Sequence, residues 1–270
     1  MQNIIKHYKD SLTNSNLEKD TITKYVRQVE CMLYFIGDIS NINSDSLSLY
    51  KEHLLNKVTV NTYNIKAILI NKFLKFANIN ESMKLVKRQK RTALEDVPTE
   101  TDYLKLINKI RKVGDVQIEC ILLTLTHTGI RISELQHITV ESLRKGHVTI
   151  LSKGKERTII LPSKLVGRLQ YYANSISLKS GSIFLTEKGN PQNTNWIRVK
   201  LKQYARSARI KADKVYPHNF RHFYAKKFLS KGGDVTLLKD LLGHSTLDTT
   251  AIYLQNSLSE QKSIVNKIFS

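Results

Sequence analysis

A tyrosine and several basic side chains in the second half of the chain have the types needed for nucleophilic attack on a phosphate. Tyr253 lies nine residues after His244, which follows Gly243. A phenol oxygen can form a covalent intermediate, but its usual pKa of about 10 means that a neighbouring group must help to remove its proton. The arginines, lysine and histidines that precede it are suited to bind and neutralise a phosphate. Together these residues predict a tyrosine that attacks a phosphate diester.

Arg131 and Lys153 lie in two short segments, TGIRISEL and SKGKE. Arg131 stands between a Thr-Gly break and a predicted helix start at Ser133, where backbone amides and a guanidinium can both face an anion. Lys153 lies in a turn where Gly154 can adopt a positive φ, so that the lysine projects outward. The alternative for either residue is an ordinary surface charge. A phosphate-binding P-loop is excluded because Lys155 is followed by glutamate and the upstream glycine is missing.

The segment PHNFRHFYAKKF, which begins at Pro217, predicts an amphipathic helix. His218, Arg221 and His222 share one stripe at helical spacing, whereas the aromatic residues lie largely on the opposite side. We therefore expect His218 and Arg221 to point the same way, the alternative being a solvated pair on a basic helix. The spacing of the two histidines matches half of a zinc-protease motif, but Asn219 replaces the required glutamate, which argues against a metal.

The composition indicates a folded basic protein. The 270 residues are 41% hydrophobic, and 43 Lys plus Arg against 23 Asp plus Glu leave a net charge of +20. This apolar content excludes a disordered basic tail, and the charge makes a polyanion the natural partner.

Cysteine usage and hydropathy indicate a cellular setting. Cys31 and Cys120 are too few and too far apart for a disulfide framework or a thiol zinc site. The first ten residues carry charge where a signal peptide needs an apolar run, and no window approaches the roughly 18 apolar residues of a membrane span. We expect a soluble, cytoplasmic protein without a membrane partner.

Helical patterns fill residues 1–82. Thr21 or Thr23 is predicted to cap a helix that ends at Gly37, and a second amphipathic helix follows Thr59. Residues 83–98 form a polar, strongly basic stretch that ends at Pro98, and they are predicted to be a linker.

Residues 99–270 combine helices with a hairpin. Thr99 and Asp102 predict a capped helix, and an apolar helix over Ile118–Leu125 is expected to end at Gly129. Two β-rich runs, His147–Leu151 and Arg157–Leu161, flank the five-residue turn SKGKE. Further helices are predicted at roughly 163–173, 193–209, 218–231, 234–242, 246–254 and 258–269.

The ordered set TGIRISEL, SKGKER, PHNFRH and LLGHSTLDTTAIY resembles the tyrosine recombinase (phage integrase) family, which includes Xer-like and lambda-integrase-like site-specific recombinases. The resemblance covers residue 99 to the end. It implies a mainly α fold, with a helical, SAM-like core-binding domain at 1–82, a basic linker at 83–98, and a mixed α+β catalytic domain at 99–270 that contains a small β-hairpin sheet. Phe220 stands where the family usually has leucine, a substitution within one chemical class.

The resemblance also assigns roles by position. The catalytic positions are Arg131, Lys153, His218, Arg221, His244 and Tyr253, with Glu134 as a supporting residue that orients the basic cluster. Lys155 is the alternative for the hairpin lysine. The linker residues Lys87, Arg88, Lys90 and Arg91 are candidates to follow the DNA backbone, and a solvated charge run is the alternative for them.

The resemblance implies a site-specific recombinase or integrase that cleaves and rejoins double-stranded DNA through a 3′-phosphotyrosyl intermediate, without metal, ATP or another cofactor. It also implies a homo-tetramer on paired recombination sites, with an apolar tail, residues 258–269, that docks on a neighbouring subunit, and an accessory DNA-bending or excision factor. The alternatives are a noncatalytic DNA-binding or architectural protein of the same fold and, as the nearest enzymatic rival, a type IB topoisomerase. The motifs do not separate a mobile-element integrase from a chromosome-maintenance recombinase.

Overall fold

The computed structural model describes residues 2–15, 17–87, 97–152, 155–243, 250 and 266. The chain divides into two compact units, Met1–Lys90 and Arg91–Ser270. The described residues are mainly helical and contain one two-stranded antiparallel sheet, in the second unit. The predicted fold class is therefore confirmed. None of the helices in these ranges is long and apolar enough to span a membrane.

The first unit is a helical cluster built around its second helix. Its helices are α1 (Gln2–Asn14), α2 (Lys19–Ile36), α3 (Ser44–Leu55) and α4 (Val60–Phe76), with a short 3-10 turn at Ile39–Asn41. Helix α2 packs against the other three and contributes the fully buried Val29, Met32 and Leu33. Thr59 caps α4 as expected, because its side chain accepts a hydrogen bond from the backbone of Thr62.

The start of α2 differs from the prediction, because neither Thr21 nor Thr23 caps it. The N-cap is Glu18, which makes no side-chain capping bond, and both threonines lie within the helix. The hydroxyl of Thr23 donates to the carbonyl of Lys19, 3.0 Å away, so its hydrogen bond is made to the preceding turn of the helix. The end of α2 at Gly37 is as predicted.

An extended segment after α4 is held on that helix by side-chain amides. Asn71 accepts from the backbone N–H of Met83 at 2.8 Å and donates to its carbonyl at 3.0 Å. Asn64 makes the same pair with Val86, at 3.0 and 2.9 Å. The first residues of the predicted linker are thus bonded to the first unit.

The second unit contains the elements that carry most of the candidate residues. In order, they are α5 (Glu100–Val113), α6 (Val116–Thr128), a 3-10 helix (Ile132–His137), α7 (Val140–Lys145), β1 (His147–Ser152), β2 (Lys155–Ile160), α8 (Ser163–Ser175), α9 (Thr194–Ser207), α10 (Pro217–Ser230) and α11 (Val235–Leu242). Thr99 and Asp102 form the predicted capping box of α5. The helices predicted at 246–254 and 258–269 lie outside the described residues, apart from Thr250 and Asn266, which are helical.

Helix α6 is central to this unit. It is apolar on most of its circumference and packs against α5, α8, α9 and α10. It ends at Gly129, whose φ of +62° is the left-handed conformation that favours glycine. Because α10 packs on α6, the end of α6 lies beside the PHNFRH segment.

The predicted hairpin is present, but its turn is shorter than predicted. The ladder runs from His147 opposite Ile160 to Ser152 opposite Lys155, so two residues rather than five connect the strands. Ser152, Lys155 and Glu156 belong to the predicted turn but are paired in the ladder. Their polarity does not prevent this, because the hydrogen bonds of the ladder are made by the backbone. Helix α11 packs against β2, which places its end next to the hairpin.

Candidate active site

Arg131 is bonded to Glu134 at the start of the 3-10 helix. The carboxylate of Glu134 accepts from the backbone N–H of Arg131 at 2.8 Å and from its Nη1 at 2.9 Å. The sequence predicted that a backbone amide and the guanidinium of Arg131 would both face an anion, and in the structure this anion is Glu134. The side chain of Arg131 remains 41% exposed, so part of its guanidinium is accessible to a ligand.

Glu134 also binds a second arginine, Arg157, which is not among the predicted site residues. Nη2 of Arg157 donates to Glu134, and its Nη1 donates to the carbonyl of Leu242 at the end of α11. Both side chains of the ion pair are only 8% exposed. Burial lowers the pKa of Arg157, and the carboxylate of Glu134 opposes this effect. An arginine remains charged in either case.

Arg221 is buried at the ends of two helices. It is 2% exposed; its Nη1 donates to the carbonyl of Gly129 at 2.7 Å, and its Nη2 donates to the carbonyl of Leu242. These carbonyls belong to the C-terminal ends of α6 and α11, which carry partial negative charge and lack intrahelical partners. The two helix ends therefore stabilise a buried cation.

The sequence placed His218 and Arg221 on one stripe of a helix that is exposed on that side. The structure exposes His218 but buries Arg221, because α10 packs against both α6 and α11. A solvated surface arginine is therefore excluded for Arg221.

These contacts form one hydrogen-bonded circuit. It runs from Arg131 through Glu134 and Arg157 to the Leu242 carbonyl, and from there through Arg221 to the carbonyl of Gly129, two residues before Arg131. Three guanidinium groups and one carboxylate leave the circuit with a net positive charge. Such a cluster is suited to bind an anion.

His218 lies within electrostatic reach of the circuit. Partial desolvation of its ring, together with the positive charges of Arg221 and Arg131, lowers the pKa of His218 below its usual value of 6.5. The imidazole is therefore neutral at pH 7 and able to accept a proton. The ring of His222 packs edge-on against it, with the centroids 4.4 Å apart.

The structure brings together Arg131, Glu134, His218 and Arg221. The other predicted catalytic residues, Lys153, His244 and Tyr253, lie outside the described residues, as do Arg88, Lys90 and Arg91 of the predicted linker. Lys87 is described and exposed. Within the described ranges, no group of three or more His, Cys, Asp or Glu side chains could hold a metal ion.

The alternation of β2 explains the inward position of Arg157, but the strand's own sequence does not reveal it. Arg157 has the same parity as the buried Ile159, and it lies opposite the buried Ile150. The side chain of Arg157 therefore points to the core side of the hairpin. The run RTIIL alone does not set this parity, because its two isoleucines, Ile159 and Ile160, are adjacent and point to opposite faces of the strand.

Comparisons with known proteins place the chain in a family. The model of the Phage integrase family matches residues 97–260, which is more than half of the chain. The chain is 29% identical to tyrosine recombinase XerA of Pyrococcus furiosus, over 98% of this chain and 93% of that protein. It is 36% identical to tyrosine recombinase XerD of Shewanella oneidensis, over 52% of this chain and 50% of that protein.

Solved structures share the fold. A crystal structure of XerA recombinase aligns with a TM-score of 0.57 and 22% identity, over 98% of both chains. A lambda integrase dimer bound to a COC′ core site aligns with a TM-score of 0.74 and 13% identity, over 94% of both chains. The resemblance seen in the four sequence motifs is thus confirmed, and the chain belongs to the phage integrase family of tyrosine recombinases.

Proposed function

We propose that this protein is a site-specific DNA recombinase that cleaves and rejoins DNA strands through a covalent intermediate on Tyr253. The observation that carries the proposal is the circuit around Leu242. It holds Arg131 and Arg221, which are 90 residues apart in the sequence, in one positively charged cluster beside a neutral histidine. The circuit lies at the end of α11, immediately before Gly243 and His244.

In the proposed reaction, the phenol oxygen of Tyr253 attacks a backbone phosphorus and displaces the 5′ oxygen of the next nucleotide. A 3′-phosphotyrosyl bond forms as the phosphorus–oxygen bond to the leaving group breaks, so the bond energy is retained and religation needs no ATP. His218 accepts the phenol proton, and Lys153 donates a proton to the departing 5′ oxygen.

The arginines stabilise the negative charge that builds on the non-bridging oxygens. Arg131, whose side chain is 41% exposed, can donate hydrogen bonds to phosphate oxygens, and buried Arg221 adds its positive charge through the circuit. His244 donates a further hydrogen bond to the phosphate. This is a role that metal ions fill in many phosphoryl-transfer enzymes, so we propose that cleavage needs no metal. Glu134 orients Arg131 through the two hydrogen bonds described above.

The proposed partner is double-stranded DNA, with phosphate contacts from both units and from Lys87, Arg88, Lys90 and Arg91 of the linker. The net charge of +20 supports it. Among the solved structures of similar fold, one is a lambda integrase tetramer bound to a Holliday junction. We propose a homo-tetramer on paired sites for this chain, in which residues 258–269 dock on a neighbouring subunit. We also propose that an accessory DNA-bending or excision factor takes part. The proposed location is the cytoplasm.

The proposal is tested with nicked suicide duplexes tiled across the genomic region around the gene. A nick next to the cleavage site lets a short fragment diffuse away, so religation fails and the protein-linked strand accumulates on a denaturing gel. We expect a linked band with the wild-type protein in EDTA, and none with Tyr253→Phe.

The mobility shift of the same duplexes separates chemistry from binding. Tyr253→Phe should shift DNA as the wild type does. A wild-type protein that shifts the duplexes but never becomes linked to any of them would instead be a noncatalytic DNA-binding protein. Relaxation of supercoiled plasmids without exchange between sites would favour a topoisomerase.

A further inference from the structure

We propose that Arg157 is a positioning residue for strand cleavage, which acts on Arg131 through Glu134 and on the end of α11 through the carbonyl of Leu242. This inference rests on the proposed function and adds to it a residue that does not touch the phosphate. Arg157 joins β2, the 3-10 helix and the end of α11 with one guanidinium group.

The contacts of Arg157 are directional and buried. Nη2 donates to Glu134 and Nη1 donates to Leu242, so the two prongs of the fork bind different elements. Glu134 uses its other oxygen on Nη1 of Arg131, at 2.9 Å. A displacement of Arg157 would therefore be passed to Arg131 by the carboxylate that the two arginines share.

The end of α11 is fitted closely to the same side chain. A Cβ atom added to Gly243 would lie 2.6 Å from Cδ of Arg157, closer than such atoms approach in proteins. Gly243 also has a φ of +64°, which places the chain in the left-handed region just before His244. Close contact with the aliphatic part of Arg157 thus restricts the direction in which the chain leaves α11.

The environment of Arg157 argues against a role in stability alone. It lies opposite Ile150 on the core face of the hairpin, where an aliphatic side chain would pack at no electrostatic cost. Its Nε is buried without a hydrogen-bond partner within the described part of the chain. Buried ion pairs can often be replaced by apolar residues without loss of stability, so this charge is better explained by the geometry that it imposes.

The same unit offers a matched control. Buried Glu119 is also bound by two arginines, Arg111 at 2.8 Å and Arg168, and Arg168 is mostly buried. Arg157→Met and Arg168→Met each remove one arginine from a buried carboxylate and leave the other in place. Neither Glu119 nor Arg168 belongs to the circuit.

The experiment measures the single-turnover rate of covalent linkage at saturating suicide duplex, and DNA affinity by mobility shift. We expect Arg157→Met to slow linkage on the order of 100-fold. Its DNA affinity should stay within about threefold of wild type. Arg168→Met should link at the wild-type rate. Arg157→Lys keeps the charge but has no fork to reach both partners, and it should be slowed about 10-fold.

Hydrogen exchange supplies a readout that does not need activity. The amide of Gly243 donates to the carbonyl of Asp240 at the end of α11. We expect faster exchange of the amides at 240–243 in Arg157→Met and in Arg157→Lys, and wild-type exchange there in Arg168→Met. The lysine variant keeps the test informative if the methionine variant does not fold.

The outcomes separate this inference from the proposed function. Wild-type linkage rates in both Arg157 variants would overturn the inference and leave the recombinase proposal intact. If the wild-type protein never becomes linked to DNA, the proposed function fails, and unchanged exchange at 240–243 in the Arg157 variants would overturn the positioning role as well. Equal slowing in Arg157→Met and Arg168→Met would also overturn it, since any lost ion pair would then have the same effect.

Discussion

At the scale of single residues, two buried carboxylates of the second unit each bind two arginines. Glu119 binds Arg111 and Arg168, and Glu134 binds Arg131 and Arg157. A buried carboxylate is costly unless its charge and lone pairs are satisfied, which explains why each takes two arginines. In each pair one arginine is the more exposed, Arg111 at 53% and Arg131 at 41%, and the second pair differs in that Arg131 faces the candidate site.

Glu134→Gln should destabilise the protein, because it removes the only negative charge of the circuit and leaves Arg157 buried without a counter-ion. We expect a loss of about 2–4 kcal/mol in the free energy of unfolding, measured by urea denaturation. Glu100→Gln is the control, since Glu100 forms an exposed pair with Lys227 and should change stability by less than about 1 kcal/mol. Equal losses would mean that the circuit does not stabilise the fold.

The ring of His218 should titrate below 6.5, because desolvation and the charges of Arg221 and Arg131 disfavour its protonated form. Between the lowered pKa of folded His218 and 6.5, the unfolded chain binds a proton at this residue that the folded chain does not. The protein therefore becomes less stable as the pH falls through this range. Above 6.5 it has no effect on stability. The measurement is the NMR titration of the imidazole, assigned with His218→Gln.

A charge variant tests the cause of this shift. Arg131→Met should raise the midpoint of His218 toward 6.5, whereas Arg144→Met, which removes an exposed cation from α7, should not. A wild-type midpoint at or above 6.5 would contradict the expectation.

The types and spacing of the motif residues, together with the family resemblance, were enough to select Arg131, Glu134, His218 and Arg221 as candidates. They were not enough to show which of them are buried. The burial of Arg221 depends on the ends of α6 and α11, which are 113 residues apart in the sequence and meet only in the fold. Arg157 was missed for a similar reason, because the strand parity that turns it inward is fixed by its pairing with β1.

At the scale of elements, the end of α6 is built around a close approach. A Cβ atom at Gly129 would lie 2.6 Å from Cδ1 of Tyr224 and 3.0 Å from Cδ2 of Leu242. This contact lets α6, α10 and α11 converge where the carbonyl of Gly129 reaches Arg221.

Gly129→Ala should therefore be more damaging than an alanine at another helix end. Gly114 ends α5 in the same left-handed conformation, with a φ of +79° and nothing within 4 Å of an added Cβ. We expect Gly114→Ala to cost about 1–2 kcal/mol from backbone strain alone. Gly129→Ala should cause a further loss of about 1–3 kcal/mol from overpacking, measured by thermal or urea unfolding. Equal costs would mean that α10 and α11 move aside without penalty.

Local signals predicted most elements but not all of their ends. The caps of α4 and α5 and the stops at Gly37 and Gly129 follow from side-chain and backbone preferences that act within one turn. The start of α2 could not be predicted in this way, because Glu18 begins the helix without a side-chain capping bond. The hairpin turn was overestimated because strand pairing extends into polar residues.

At the scale of the whole molecule, positive charge is the dominant feature. The net charge of +20 is spread over both units, so nonspecific phosphate contacts should supply much of the affinity for DNA. Composition alone was sufficient for this expectation, whereas the target site depends on contacts that composition does not encode.

Binding to a duplex should weaken steeply with salt. If the protein makes about 6–10 phosphate contacts, the affinity should fall on the order of 10³- to 10⁵-fold between about 50 and 200 mM salt. Fluorescence anisotropy with a labelled duplex at several NaCl concentrations measures the slope. Tyr253→Phe should have the same slope as the wild type, because it removes no charge. A flat dependence would show that phosphate contacts do not dominate binding.

The amide pairs on α4 give the outgoing chain a fixed register. Asn64 and Asn71 are seven residues apart, a rise of about 10.5 Å along a helix. Their partners Val86 and Met83 are three residues apart, which spans about 10 Å of extended chain. The two lengths match, so two amides on one face of α4 fix the position of the extended segment along the helix. Adding or deleting one residue between Met83 and Val86 would leave only one of the two amide pairs in reach, and the outgoing chain would no longer be held at both ends of this segment.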